Sequence, residues 1–154
     1  MSSNSLGPLP SIPELRDLCQ TLTGVPVPKG DLPMRLQFIA DLIADAGPLP
    51  TAPILLWRDP KESSVHHVLI GSELIVGRQV GQVGLTLPGD KLLSRRHFAI
   101  RRAAEEFSLE DLKSHNGTAV NRSDNRVPRV VLRDGDLILA GANIFVFLKQ
   151  GQTV

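Results

Sequence analysis

The hydrophobic pattern changes near residue 50. Before it, apolar residues recur every three or four positions; after it, they come in short β-branched and aliphatic runs separated by turn signals. Ser11-Ile12-Pro13-Glu14 opens a predicted helix with a capping hydroxyl, a first-turn proline and a carboxylate. Leu15, Leu18, Cys19 and Leu22 form its stripe, and Gly24 and Pro26 close it. A second helix is predicted from Asp31, with Pro33 in the first turn, a stripe of Leu32, Leu36, Ile39, Ala40 and Ile43, and a stop at Gly47-Pro48. Helices this short must bury their stripes, either on each other and the β region or on a partner protein that docks there.

The remaining pattern predicts strands over 54–57, 65–70, 73–78, 85–87, 97–102, 107–112, 118–121, 130–132, 137–140 and 143–148. Gly71-Ser72 predicts a tight hairpin between the second and third of these, and Asp134-Gly135 and Gly141-Ala142 predict further turns. Roughly ten or eleven short strands with almost no helical period point to a β-sandwich. The expected organisation is a flexible lead (1–11), a short helical region (12–47), a connector stiffened by proline (48–52), the β-sandwich (53–149) and a tail (150–154).

Composition narrows the function classes. The formal net charge of +1 is too balanced for a nucleic-acid binder, and 4% aromatic residues with no Tyr leave few platforms for stacking bases. The single cysteine, Cys19, excludes an intrachain disulfide and falls in the first helical stripe as a small core residue. No apolar run approaches the roughly 18 residues that span a membrane, and the N-terminus lacks the order of a signal peptide, so a cytoplasmic location is expected. His66 and His67 are neighbours in a predicted strand and point to opposite faces, which argues against a shared metal ion. Charge is uneven: residues 1–60 carry four basic against six acidic groups, and residues 61–154 carry thirteen against ten. The basic excess lies in the β half.

Three clusters in that half carry chemistry. Gly77-Arg78 ends an apolar strand, and a guanidinium is a rigid fork of donors that suits a phosphate. Leu93-Ser94-Arg95-Arg96-His97 offers a hydroxyl beside basic groups at the start of another strand, with Lys91 nearby. Asn116-Gly117-Thr118 reads as a turn, and an Asn side chain also gives a donor and an acceptor to a neighbouring backbone; Ser114 and His115 stand where they can touch a ligand. Taken singly, these fit a surface ion pair, a strand edge and a turn. No nucleophile–base pair, phosphate loop or metal cage accompanies them, so neither an enzyme nor a cofactor is expected.

In order and spacing the clusters resemble the forkhead-associated (FHA) domain family over residues 53–149. The matching pieces are Leu74-Ile75-Val76-Gly77-Arg78, Leu93 to His97, Asp111-Leu112 with Ser114, Asn116-Gly117-Thr118, Val120-Asn121, and Leu132 to Asp136 through Gly141. The resemblance implies a mostly β fold, an eleven-stranded FHA-type β-sandwich, here preceded by two short α-helices, that binds phosphothreonine peptides through loops at one end. It implies phosphate contacts from Arg78 and Ser94 helped by Arg95, and peptide-backbone contacts from Asn116 with His115 beside it. Gly77, His97, Gly117 and Asn121 would shape the loops, while Lys91, Leu92 and Arg122 stand where the family reads residues beyond the phosphothreonine. Two positions depart from the family pattern: His115 replaces Thr or Ser, exchanging a hydroxyl for a titratable ring, and Arg122 replaces Gly.

The function this implies is an adaptor that recruits proteins phosphorylated on threonine by a Ser/Thr kinase, with no nucleic acid and no membrane as partner. The alternative is an FHA-like assembly protein whose phosphate site is idle and whose helical N-terminus is the docking surface.

Overall fold

Ten strands make two five-stranded sheets in the computed structural model, which describes residues 32–81, 84–121 and 125–149, with side chains from residue 37 onward. One sheet has the order β2 (Val65–Leu69), β1 (Ile54–Arg58), β10 (Asn143–Leu148), β9 (Leu137–Ala140) and β7 (Thr118–Val120). The other has the order β4 (Leu85–Thr86), β3 (Glu73–Gly77), β5 (Phe98–Ala103), β6 (Glu106–Asp111) and β8 (Arg129–Val131). All pairs are antiparallel except β3 with β4. The described residues thus hold ten strands rather than eleven, and one helix, α1 (Leu32–Ala46), rather than two. The expected first helix lies outside the described residues. No helix among them is long and apolar enough to cross a membrane.

Alternation sets the core. Leu55 and Trp57 of β1, Leu74 and Val76 of β3, Phe98 and Ile100 of β5, Phe107 and Leu109 of β6, and Phe145 and Phe147 of β10 meet between the sheets. The residues between them on β1 and β10, namely Ile54, Leu56, Val146 and Leu148, face the other way and are also buried. They are covered by Ile39, Leu42 and Ile43 of α1 and by Leu49. This is why β1 and β10 read as unbroken apolar runs: both faces of the sheet are occupied. Each aliphatic side chain so buried contributes about 1.5–3 kcal/mol, which is what holds a single helix in place. Three of the four edge strands are short (β4, β7, β8), and the fourth, β2, carries a histidine on each side; both features limit edge-to-edge pairing.

The expected hairpin at Gly71-Ser72 does not form. β2 pairs with β1 and β3 pairs with β5, so the two residues carry the chain from one sheet to the other. The Ile70 amide still bonds the Pro53 carbonyl at 2.9 Å, and the Arg102 amide already bonds the Ser72 carbonyl at 2.9 Å. Alternation within two short strands fixes their faces but not their partners.

The register of the second sheet decides where the loops meet. Val76, Phe98 and Asp111 stand side by side on β3, β5 and β6. Whatever follows Val76 or Asp111, and whatever precedes Phe98, therefore leaves the same end of the sandwich. Thr118 opens β7 opposite Ala140, so the Gly141-Ala142 turn joins that rim from the other sheet.

Candidate functional site

At this rim the first two sequence clusters are bonded to each other through their backbones, and the third is tied to them through side chains. The Arg78 amide donates to the Ser94 carbonyl (2.9 Å), the Gln79 amide to the Arg95 carbonyl (3.1 Å), and the His97 amide to the Val76 carbonyl (2.9 Å). Gly77 is required here for space rather than for an unusual φ. A Cβ on it would overlap the Arg95 carbonyl oxygen and lie 2.7 Å from the carbonyl carbon. Both groups are backbone, so nothing can swing aside.

His97 is fully buried and spans two loops. The Ser94 amide donates to its Nδ1 (3.0 Å), so Nδ1 is an acceptor and Nε2 carries the hydrogen. Nε2 then donates to the Gly117 carbonyl at 2.8 Å. The ring thereby links the Ser94 loop to the Asn116 loop. Gly117 has φ +84°, the positive value anticipated for Asn-Gly.

The loop from 112 to 117 is braced from within by Asp111. Its carboxylate accepts from the Ser114 amide (3.1 Å), the Ser114 hydroxyl (2.5 Å) and the Thr118 hydroxyl (2.8 Å). The Ser114 oxygen in turn accepts from the Gly117 amide at 2.9 Å. The Ser114 hydroxyl is thus bonded within its own loop, to the half-buried Asp111 carboxylate. Besides the His97 bond, two more tie this loop to its neighbour: the His115 amide to Ser94 Oγ (2.9 Å) and Asn116 Nδ2 to the Leu92 carbonyl (2.9 Å).

What remains facing outward is a compact set. Arg78 is half-buried and uses Nε on the Leu93 carbonyl (3.2 Å), leaving the terminal nitrogens of its fork. Ser94 Oγ accepts from His115 and keeps its own hydrogen to donate. Arg95, Lys91, Leu92, His115 and Asn116 are exposed. Among the described residues no carboxylate pairs with Arg78, Arg95 or Arg96. Arg122 lies outside the described residues. Asn121 is buried with φ +68° and sits at the far end of β7. It accepts from the Leu137 amide (2.9 Å) and donates to Asp136 (3.1 Å), bracing the β7–β9 pairing rather than the rim. Burial pushes the Asp136 carboxyl above its ordinary value, against the pull of bonds from Arg133 and Asn121.

Sequence reading missed two groups. Asp111 reads as a strand residue and Asp90 as part of a loop, and only the fold shows that each is a hub of donors. It also missed that Asp59 and Glu62, on the β1–β2 turn, come within 4.8 Å of His66, measured between ligand atoms. There the Asp59 carboxyl is held below its ordinary value by hydrogen bonds from the Glu62 and Lys61 amides, and His66 bonds Ser64.

Comparison with known proteins bears on this geometry. A family model described as the FHA domain matches residues 74–141. The glycogen accumulation regulator GarA of Mycobacterium tuberculosis is 42% identical over 66 residues, which are 41% of this chain and 40% of that one. The match thus spans well under half of that relative. Among solved structures, a chain from a structural and functional analysis of phosphothreonine-dependent FHA domain interactions is 33% identical, with a TM-score of 0.52. It is matched over 96% of its length by 64% of this chain. The FhaA FHA domain complexed with the intracellular domain of Rv3910 is 32% identical, with a TM-score of 0.51 over 99% of its length and 62% of this chain.

Proposed function

This chain belongs to the FHA domain family, and on that premise we propose that it is a phosphothreonine-peptide-binding adaptor that recruits proteins marked by a Ser/Thr kinase. The observation that carries the reading is the hydrogen-bonded seam between the Arg78 and Ser94 backbones (2.9 Å), with Asn116 hooked to the same loop through Leu92. A guanidinium fork, a hydroxyl that can donate and an exposed carboxamide then share one rim. In this reading Arg78 and Ser94 hold the phosphate and Arg95 adds charge. Asn116 offers its free oxygen and remaining N–H to the peptide backbone, and His115 lies beside it. Gly77, His97 and Gly117 hold the loops. Leu92, flanked by Lys91, meets an apolar side chain a few positions after the phosphothreonine.

The energetics suit a switch. A phosphothreonine carries roughly −1.5 to −2 charge at neutral pH. Two or three charge-assisted hydrogen bonds of roughly 1.5–3 kcal/mol each vanish with unmodified threonine, so discrimination of at least about a hundredfold follows. The described apolar side chains of α1 are already spent on the sheet, which leaves the docking alternative without an observation in its favour. The test is a calorimetric titration of a phosphothreonine peptide into wild type and Arg78→Ala, with folding checked by circular dichroism. The variant should bind at least about tenfold more weakly. Equal binding by both proteins, or by neither, overturns the reading.

A further inference from the structure

Asp90 is a carboxylate buried at the rim (7% exposed) that makes no ion pair among the described residues. Its Oδ1 accepts from the Leu92 amide (3.0 Å); its Oδ2 accepts from the Ala142 amide (2.8 Å) and from Asn143 Nδ2 (2.7 Å). One side chain thus joins the loop between β4 and β5 to the turn between β9 and β10. The turn is shaped to admit it: a Cβ on Gly141 would lie 2.6 Å from Oδ2, and Gly141 itself has φ +59°. Asn143 gives its amide nitrogen to Asp90 and leaves its own buried Oδ1 without a partner among the described residues. A buried unsatisfied acceptor and a buried charge are both costly.

What the arrangement fixes is the direction of two backbones. The Leu92 amide is held by Asp90 and the Leu92 carbonyl by Asn116 Nδ2 (2.9 Å), so the exposed Leu92 side chain is aimed from both sides. Across from it stands Ala142, held by the same carboxylate. Between them opens a largely apolar cleft of about 490 Å³, walled also by Trp57, Pro60 and Leu87. Leu92, which lines the cleft, is also bonded by Asn116 of the rim.

We propose that Asp90 is a positioning residue for selectivity: it clamps Leu92 and Ala142 as the two lips of the cleft that receives an apolar peptide side chain downstream of the phosphothreonine. This rests on the phosphopeptide reading above. Asp90 itself is buried beneath the lips and acts only through them. Removing its carboxylate frees both lips while leaving Arg78 and Ser94 in place, so the apolar preference should fail and the phosphate contacts should not.

The test uses two phosphothreonine peptides that differ at one downstream position, leucine or alanine, titrated into the full chain. Wild type should prefer the leucine peptide by about tenfold, the scale of an apolar pocket contact. Asp90→Ala should reduce that preference to less than about twofold while binding the alanine peptide nearly as well as wild type. Asp90→Asn keeps one acceptor and should fall between. Gly141→Ala, which pushes on the carboxylate from the other side, should mimic Asp90→Ala. Amide NMR signals of Leu92 and Ala142 in wild type should shift together with the leucine peptide and little with the alanine one. That measurement serves even where a variant does not fold. Wild type without preference, folded Asp90 variants that keep it, or an Ala142 signal that ignores the leucine peptide each overturn the clamp alone. Wild type that binds neither peptide overturns the phosphopeptide reading beneath it.

Discussion

The rim depends on a glycine and an imidazole that present nothing to solvent. Gly77 lets the Arg95 carbonyl approach β3 so closely that no side chain fits between them, and His97 sets the distance from the Ser94 amide to the Gly117 carbonyl. Gly77→Ala should therefore cost about 1–3 kcal/mol of stability through overpacking, and it should also displace Ser94 and weaken phosphopeptide binding. Urea unfolding and a peptide titration on the same preparation check both effects; an unperturbed variant would mean that the loop can yield. Arg78, Ser94 and Asn116, the groups proposed to bind, stand out by residue type and spacing, because a guanidinium, a hydroxyl and a carboxamide at loop edges carry their chemistry with them. Asp90 and Asp111 do not. A carboxylate shows its role only through its donors, and one donor to Asp90 is the amide of Ala142, 52 positions along the chain.

At the scale of elements, alternation located the strands well and partners poorly. The strand positions agree with the apolar runs to within a residue or two, whereas the Gly71-Ser72 hairpin became a crossover because pairing is decided by the far strand. The helix over Leu32–Ala46 followed from its stripe, and the fold supplied what the stripe covers: the outer face of β1 and β10. Leu42 is 1% exposed on that face, opposite the inter-sheet core. Leu42→Ala should cost about 2–5 kcal/mol, as cavities in well-packed cores do, and leave phosphopeptide affinity within about twofold, since the helix supplies no rim group. Thermal melting beside a titration checks this. A loss of affinity in a folded variant would show that the helix is coupled to the site.

Over the whole molecule, charge is sorted by place. Arg101 is paired with Glu73 (2.7 Å) and with Glu110 on the outer face of the second sheet, and Arg58 with Asp45 (2.6 Å) between β1 and α1. These exposed pairs add little stability. The cations of the rim have no such partner among the described residues, because the nearby carboxylates of Asp90 and Asp111 are consumed by N–H and O–H donors. Asp136 gives the fold a pH dependence of its own. Burial raises its carboxyl above 3.8, so the folded protein keeps the proton to a higher pH than the unfolded chain does. Its contribution is complete below 3.8 and is lost as pH rises through the folded value. The melting temperature of wild type relative to Asp136→Asn should therefore fall as pH is raised across the acidic range; a gap that is flat or widens with pH contradicts it. What the sequence determined by itself is what local chemistry can encode: strand faces from alternation, turns such as Asn116-Gly117 from glycine, and the loop-edge side chains proposed to hold a phosphate. What only the tertiary structure decided is which edges pair, what covers the first sheet and which buried carboxylates hold the rim together, because those depend on groups that are distant along the chain and adjacent only once it has folded.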